Sequence, residues 1–298
     1  MRVFVTGATG FIGSAVIREL ITSGHQVLGL ARSEAAAKSL TAAGIQAHRG
    51  DLDDHDSLKR GAAAADGVIH TAFVHDFAKY ATAGETDRRA IEVIGAALAG
   101  SGQPFVVTSG IALLKQGRRG TEADAPDPGS AAAPRIASED AALALAAHGV
   151  RVSVVRLPPS VHGDGDHGFV PALIGIAREK GASAYVADGS NRWSAVHRLD
   201  AARLYRLALE QAPAGAVFHG VADEGVPIGE IAALIARRLN LPLVTKSPEE
   251  AGAHFGWLAR FIGIDCPASS AQTQQALGWH PLQPALIPDL DAPHYFAT

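Results

Sequence analysis

Short apolar runs alternate with longer amphipathic, alanine-rich stretches through the first half of the chain. The runs at Arg2–Thr6, Gln26–Ala31, 45–49, 67–72, 104–109 and Arg151–Leu157 are rich in Val, Ile, Leu and Phe and read as strands. The stretches between them carry apolar residues at helical spacing. Strand and helix in strict alternation predict successive βαβ units, and therefore a parallel sheet. The strands are continuously apolar rather than alternating, as expected where helices cover both faces of a doubly wound sheet.

After Leu157 the rhythm changes. Pro158-Pro159 and the polar segment His162-Gly163-Asp164-Gly165-Asp166-His167 make a crossing. Beyond it the pattern predicts a helix over Phe169–Lys180, a strand at 184–186, a loop carrying Trp193 and a helix at 200–210. A strand at 217–221 and a helix over Ile228–Leu239 follow, and 117–133 is the most loop-like stretch. The expected organisation is a larger α/β domain over 1–160 and a smaller α/β lobe over 161–298. That lobe packs on the strand ends and returns elements to the first sheet.

The first strand runs directly into Thr6-Gly7-Ala8-Thr9-Gly10-Phe11-Ile12-Gly13, which opens an amphipathic helix over Phe11–Thr22. Glycines at this junction let the backbone turn tightly and approach a pyrophosphate, and the helix N-terminus offers free N–H groups to the anion. In this context the turn predicts a Rossmann dinucleotide site contacted by Gly7, Thr9, Gly10, Phe11, Ile12 and Gly13. The second strand ends in Ala31-Arg32-Ser33. An acid near that point would hold the ribose hydroxyls of NAD and repel a 2′-phosphate; Arg32 and Ser33 in its place predict NADP.

Composition narrows the picture further. Over 298 residues, 47% hydrophobic and 19% charged residues suffice for a large core, and a net charge of -4 argues against a nucleic-acid binder. The single cysteine, Cys266, excludes an internal disulfide framework. Residues 1–7 lack the apolar core and cleavage site of a signal peptide, and no run reaches spanning length, so a cytoplasmic protein without a membrane partner is expected.

Several further segments carry a family resemblance: Gly50-Asp51-Leu52, His70-Thr71-Ala72-Phe73, Thr108-Ser109-Gly110, the Arg156–Gly163 stretch, Val196-His197-Arg198-Leu199-Asp200-Ala201-Ala202 and Leu277-Gly278-Trp279-His280-Pro281. With the glycine turn, they resemble the extended short-chain dehydrogenases/reductases (the NAD-dependent epimerase/dehydratase type) over essentially the whole chain. The resemblance implies that Asp51 and Leu52 lie by the adenine, that Thr71, Ala72, Phe73 and Thr108 lie along the cofactor, and that Leu157, Pro158, Pro159 and Ser160 lie near the nicotinamide. It also implies a homodimer.

The family's catalytic group is a Ser or Thr with Tyr-x-x-x-Lys. The corresponding segment here is Arg135-Ile136-Ala137-Ser138-Glu139, so arginine stands at the tyrosine position and glutamate at the lysine position. Arg135 and Glu139, four apart on a helix, are expected to pair with each other. Ser109 remains as the upstream hydroxyl, and His162 as an imidazole able to move a proton near neutral pH. Substrate-pocket candidates at strand ends and in the second lobe are His75, Asp76, Tyr80, Phe169, Trp193 and His197. The spacing of His162, Asp164, Asp166 and His167 superficially suits a metal, but no upstream cluster completes a site and none is expected.

These readings lead to an atypical NADP-dependent reductase of a small carbonyl or unsaturated compound. The alternatives are a sugar-nucleotide epimerase or dehydratase, and a non-catalytic NADP-binding regulator resembling those of nitrogen metabolite repression.

Overall fold

The computed structural model describes residues 1–76 and 79–296. Among the described residues, seven parallel strands form the main sheet: β1 (Arg2–Thr6), β2 (Gln26–Ala31), β3 (Gln46–Arg49), β4 (Gly67–His70), β5 (Pro104–Gly110), β6 (Arg151–Leu157) and β10 (Ala216–His219). Their spatial order is β10-β6-β5-β4-β1-β2-β3, so the winding reverses between β1 and β4. Ligands of open α/β sheets bind beyond the strand ends at that reversal. Val3, Phe4 and Val5 are wholly buried, as a central strand covered on both faces requires.

One face carries α3 (His55–Ala63), α4 (Tyr80–Leu98) and α5 (Ile136–Ala144); the other carries α1 (Phe11–Thr22), with α2 (Glu34–Ala42) at the β2–β3 edge. Gly84 of α4 allows a close approach: a Cβ there would lie 2.4 Å from the Pro134 carbonyl oxygen. Its absence lets the turn before α5 sit on α4 and carries Arg135 to the strand ends. Strand β4 stops at His70, two residues short of expectation. Thr71 leaves the sheet to donate its hydroxyl to the Thr6 carbonyl (2.8 Å), and the Ala72 N–H turns to Thr6 Oγ1 (3.3 Å).

The second half splits between the two layers. Helix α7 (Arg198–Gln211) lies along α1, and β10 extends the main sheet beside β6. The remaining strands are short: β7 (Ser160–His162), β9 (Arg192–His197) and β11 (Asp223–Pro227) make one sheet, and β8 (Ser183–Val186) pairs with β12 (Leu243–Lys246). They pack with α6 (Phe169–Lys180), α8 (Ile228–Leu239), α9 (Ala251–Phe255), α10 (Ala259–Ile262) and α12 (Leu286–Leu290) around a second core containing Trp193. Helix α11 (Ala271–Leu277) ends at Gly278 with φ +59, which turns Trp279 inward. The Trp279 indole donates to the Asp200 carbonyl (2.9 Å), and the Asp200 carboxylate accepts the N–H of Leu282 and Gln283. Among the described residues no helix is long and apolar enough to cross a membrane.

Candidate active site

The glycine turn is built as its spacing requires. Gly7 has φ +67, Gly10 N–H donates to Gly7 O (2.9 Å), and a Cβ on Gly13 would stand 2.0 Å from that same oxygen. Gly10 is the extended N-cap of α1 with no capping side chain, so the first helical amides have no side-chain acceptor there. Thr9 and Gly10 are exposed, and a Cβ on Gly10 would meet only Gly7 O, at 3.1 Å. The first-turn amides of α1, with open space over Gly10, fit a pyrophosphate.

At the far edge, Arg32 and Ser33 are exposed after β2; Ser33 Oγ accepts Ala36 N–H (3.1 Å) and caps α2. Ala31 lies beside Arg49 in the β2–β3 register, so a second guanidinium, 3.3 Å from Glu34, stands at this end. The sequence reading missed Arg49, although parallel register from Leu28 onward would have placed it. Asp51 is exposed and its Oδ1 accepts the N–H groups of Asp53 and Asp54.

At the inner end, Arg135 does not pair with Glu139. Its Nη2 donates to the Thr108 carbonyl (2.9 Å) and stands 3.6 Å from Asp87 Oδ2, and its guanidinium carbon lies 4.3 Å from the centre of the Phe73 ring. Its Nε is buried without a hydrogen-bond partner among the described residues. Behind it runs a buried chain: Ala72 N–H to Thr6 Oγ1, Thr6 hydroxyl to His70 Nδ1 (2.8 Å), and His70 Nε2–H to Asp87 Oδ1 (3.0 Å). Burial opposes ionisation of Asp87, but Arg135, His70 and Ser138 together outweigh it and hold the carboxyl below its usual range. A carboxylate locked behind the guanidinium fixes it at the carboxyl ends of β4 and β5.

Glu139 turns the other way. It is 1% exposed and its carboxylate binds Arg156, itself 2% exposed, through Nε (3.2 Å to each oxygen) and Nη2. Ser109 donates its hydroxyl to the same carboxylate. Strand alternation explains this: Thr108 faces α7, where its hydroxyl meets Tyr205, and Ser109 faces α5. The expected role of Ser109 toward an acceptor is therefore corrected, because its proton is committed inward. Gly110 follows it on the strand; a Cβ there would meet nothing nearer than Leu157 O at 3.8 Å.

His162, expected to move a proton, is also corrected. It is fully buried, its Nδ1 is 2.8 Å from Asp289 Oδ2, and its ring meets His197 edge-on at 5.4 Å. Its Nε2 is buried without a hydrogen-bond partner among the described residues. Asp166 accepts Gly168 N–H and the Tyr295 hydroxyl, and His167 Nδ1 lies by Gly165 O. Among the described residues no group of three His, Cys, Asp or Glu side chains could hold a metal ion.

Of the pocket candidates, His75 and Tyr80 lie against Phe73, Phe169 packs against Phe261, and Asp76 accepts the Lys79 N–H (3.3 Å). Phe73 meets His75 at 5.5 Å and Tyr80 at 5.9 Å. Although its ring is solvent-accessible, crowding by protein and the neighbouring Arg135 and His167 hold His75 below its usual range. Phe11 and His167 meet edge-on at 5.7 Å, and Arg198 lies over Phe11. Trp193 and His197 are corrected as pocket residues: Trp193 is wholly buried behind Phe169, and buried His197 uses Nδ1 to cap α7. Thr71, Ala72 and Pro159 are partly open at the strand ends, whereas Leu157, Pro158 and Ser160 are buried beneath them.

Comparison with known proteins agrees with this architecture. A Schizosaccharomyces pombe protein described as uncharacterised is 52% identical, over 99% of this chain and 100% of that one. A ketoreductase of Stigmatella aurantiaca acting on a farnesylated 3-oxo-dihydroquinoline oxide is 31% identical over 76% of this chain and 70% of its own. The fold is also that of a Thermotoga maritima UDP-glucose 4-epimerase, with TM-score 0.79 and 20% identity over 99% and 98% of the two chains. The pattern of the NAD dependent epimerase/dehydratase family matches residues 3–219, and the chain belongs to that family.

Proposed function

We propose that this protein is an NADPH-dependent reductase of a carbonyl compound in which Arg135 takes the place of the family's tyrosine. The observation that carries the reading is the Arg135 guanidinium, anchored by Asp87 and the Thr108 carbonyl at the end of β5, with Nε–H left unpartnered. Gly7, Gly10 and Gly13 would hold the pyrophosphate, and Arg32, Ser33 and Arg49 would hold a 2′-phosphate by charge-assisted hydrogen bonds. The bound cofactor supplies a hydride.

Arg135 would supply what an acceptor needs: a fixed positive charge at the strand ends, beside an oxygen that gains negative charge. A guanidinium remains protonated at neutral pH, so it stabilises the oxyanion without giving up its proton, and solvent protonates the alkoxide. Glu139, bound to Arg156 and Ser109, keeps the neighbouring layer rigid and takes no part at the acceptor. The missing Tyr–Lys pair favours one-way reduction over epimerisation, which needs a base to run the step backwards. The test is NADPH consumption against a panel of aldehydes, ketones and enones. Turnover of at least one supports the reading; tight NADPH binding without turnover points instead to a regulator.

A further inference from the structure

Arg198 opens α7 and lies over the Phe11 ring, its guanidinium carbon 5.0 Å from the ring centre. Among the described residues that guanidinium takes part in no hydrogen bond and no ion pair. The position is an awkward one for a cation, because the first turn of a helix is the positive end of its dipole. Two carboxylates of the surrounding segments are committed elsewhere. Asp200 accepts the N–H groups of Leu282 and Gln283, and Asp166 accepts Gly168 N–H and the Tyr295 hydroxyl.

The side chain is nonetheless held in place by the 163–168 loop. A Cβ on Gly163, at φ +132, would stand 3.3 Å from Arg198 Cγ and 2.8 Å from His197 Nε2, and one on Gly165 would stand 3.7 Å from Arg198 Nη1. Tyr295 fixes that loop, accepting Gly163 N–H (3.0 Å) and donating to Asp166 (3.2 Å). His167, from the same loop, meets the Phe11 ring edge-on. Phe11 is the first residue of α1, so the ring that Arg198 covers belongs to a residue carrying one of the free amides of the glycine turn. The turn itself, Thr6–Gly13, contains no basic side chain, and a helix N-terminus offers only about half a positive charge. A dinucleotide brings a negative charge on each phosphate of its pyrophosphate, more than the turn can balance.

We infer that Arg198 binds the pyrophosphate of the dinucleotide together with the first amides of α1, so that the cofactor is held by both halves of the chain. A guanidinium suits the task, since its planar fork matches a pair of phosphate oxygens. This rests on the reading of the glycine turn as a dinucleotide site, and not on the reductase chemistry. The experiment is calorimetric titration of the unmodified protein, Arg198→Met and Arg198→Lys with NADP⁺, NAD⁺ and 2′-AMP at two salt concentrations. Arg198→Met keeps an apolar stem against Phe11 and removes the charge. It is expected to lose on the order of ten- to a hundred-fold in affinity for NADP⁺ and NAD⁺ alike, the scale of a hydrogen bond to a charged group. Binding of 2′-AMP, which has no pyrophosphate, stays unchanged. Arg198→Lys recovers part of the loss, and the salt dependence of dinucleotide binding is shallower in Arg198→Met.

The inference is overturned if folded Arg198→Met binds the dinucleotides as tightly as the unmodified protein, or if 2′-AMP is weakened as much as they are. A loss confined to NADP⁺ also overturns it, because the guanidinium would then serve the 2′-phosphate. Two further outcomes separate this idea from the one it rests on. No dinucleotide binding by the unmodified protein removes the cofactor site and the Arg198 contact together. Dinucleotide binding that is indifferent to Arg198, with turnover lost, assigns Arg198 to the acceptor and removes only the contact.

Discussion

Restoring the family's lysine at position 139 should unfold this protein rather than revive standard chemistry. Glu139 and Arg156 are buried together, and Glu139→Gln would leave Arg156 without its carboxylate, with the Asp124 carbonyl (2.9 Å) and, more weakly, His219 Nε2 (3.4 Å) as remaining partners. Removing one member of a buried ion pair costs about 3–5 kcal/mol. At ~2 cal/mol/K per residue of unfolding entropy over 298 residues, that lowers Tm by about 5–8 °C. Glu139→Lys adds repulsion between two cations at contact distance, ~4 kcal/mol at an effective dielectric of ~20. The total approaches the whole stability of an ordinary domain, about 5–15 kcal/mol. Thermal and urea unfolding of the two variants, with Glu139→Gln/Arg156→Gln as the double-mutant partner, reads this directly. The double variant should recover part of the loss. A Glu139→Lys protein as stable as the unmodified one would refute the reasoning.

Gly10→Val should leave the fold intact and abolish dinucleotide binding, because its side chain enters the open space above the turn; calorimetry of a folded variant that still binds NADPH contradicts this. Arg32→Ala should weaken NADPH by about 1–3 kcal/mol and leave NADH nearly unchanged, so paired titrations that show equal losses count against the NADP assignment. His219 is wholly buried among Arg156, Glu122 and Glu139, and burial depresses its imidazole to about 4. A histidine depressed in the folded state contributes stability present above the unfolded value near 6.5 and lost as pH falls from there toward 4. Up to about 3 kcal/mol should disappear across that window, and His219→Asn should flatten the fall in Tm; a flat profile in the unmodified protein argues otherwise.

Local signals were the ones legible in the sequence. The glycine turn, the apolar parallel strands and the helices Phe169–Lys180 and Ile228–Leu239 each depend on neighbours in sequence, and each stands where expected apart from the early end of β4 at His70. Strands β7 and β9 carry Ser160, His162, Arg192, Ser194 and His197, so no apolar run announced them. Ionic partners were the least legible. Arg135 finds Asp87, 48 residues earlier, and Glu139 finds Arg156, 17 residues later, so helical spacing pointed to a pair that the tertiary fold does not make. Strand alternation could have shown Ser109 facing away from Thr108 and Gly110. It could not have shown what lay on the other side.

On the proposed reading, Arg135 performs the acceptor-side work of the missing tyrosine. The most direct measurement compares kcat/KM of the unmodified protein, Arg135→Lys and Arg135→Ala on the best carbonyl substrate, after NADPH affinity is shown to be equal in all three. Loss of a fixed oxyanion donor predicts a fall on the order of 10²–10³ for Arg135→Ala, mostly in kcat, with a smaller fall for Arg135→Lys. An Arg135→Ala protein that binds NADPH and reduces the substrate as fast as the unmodified one would contradict it.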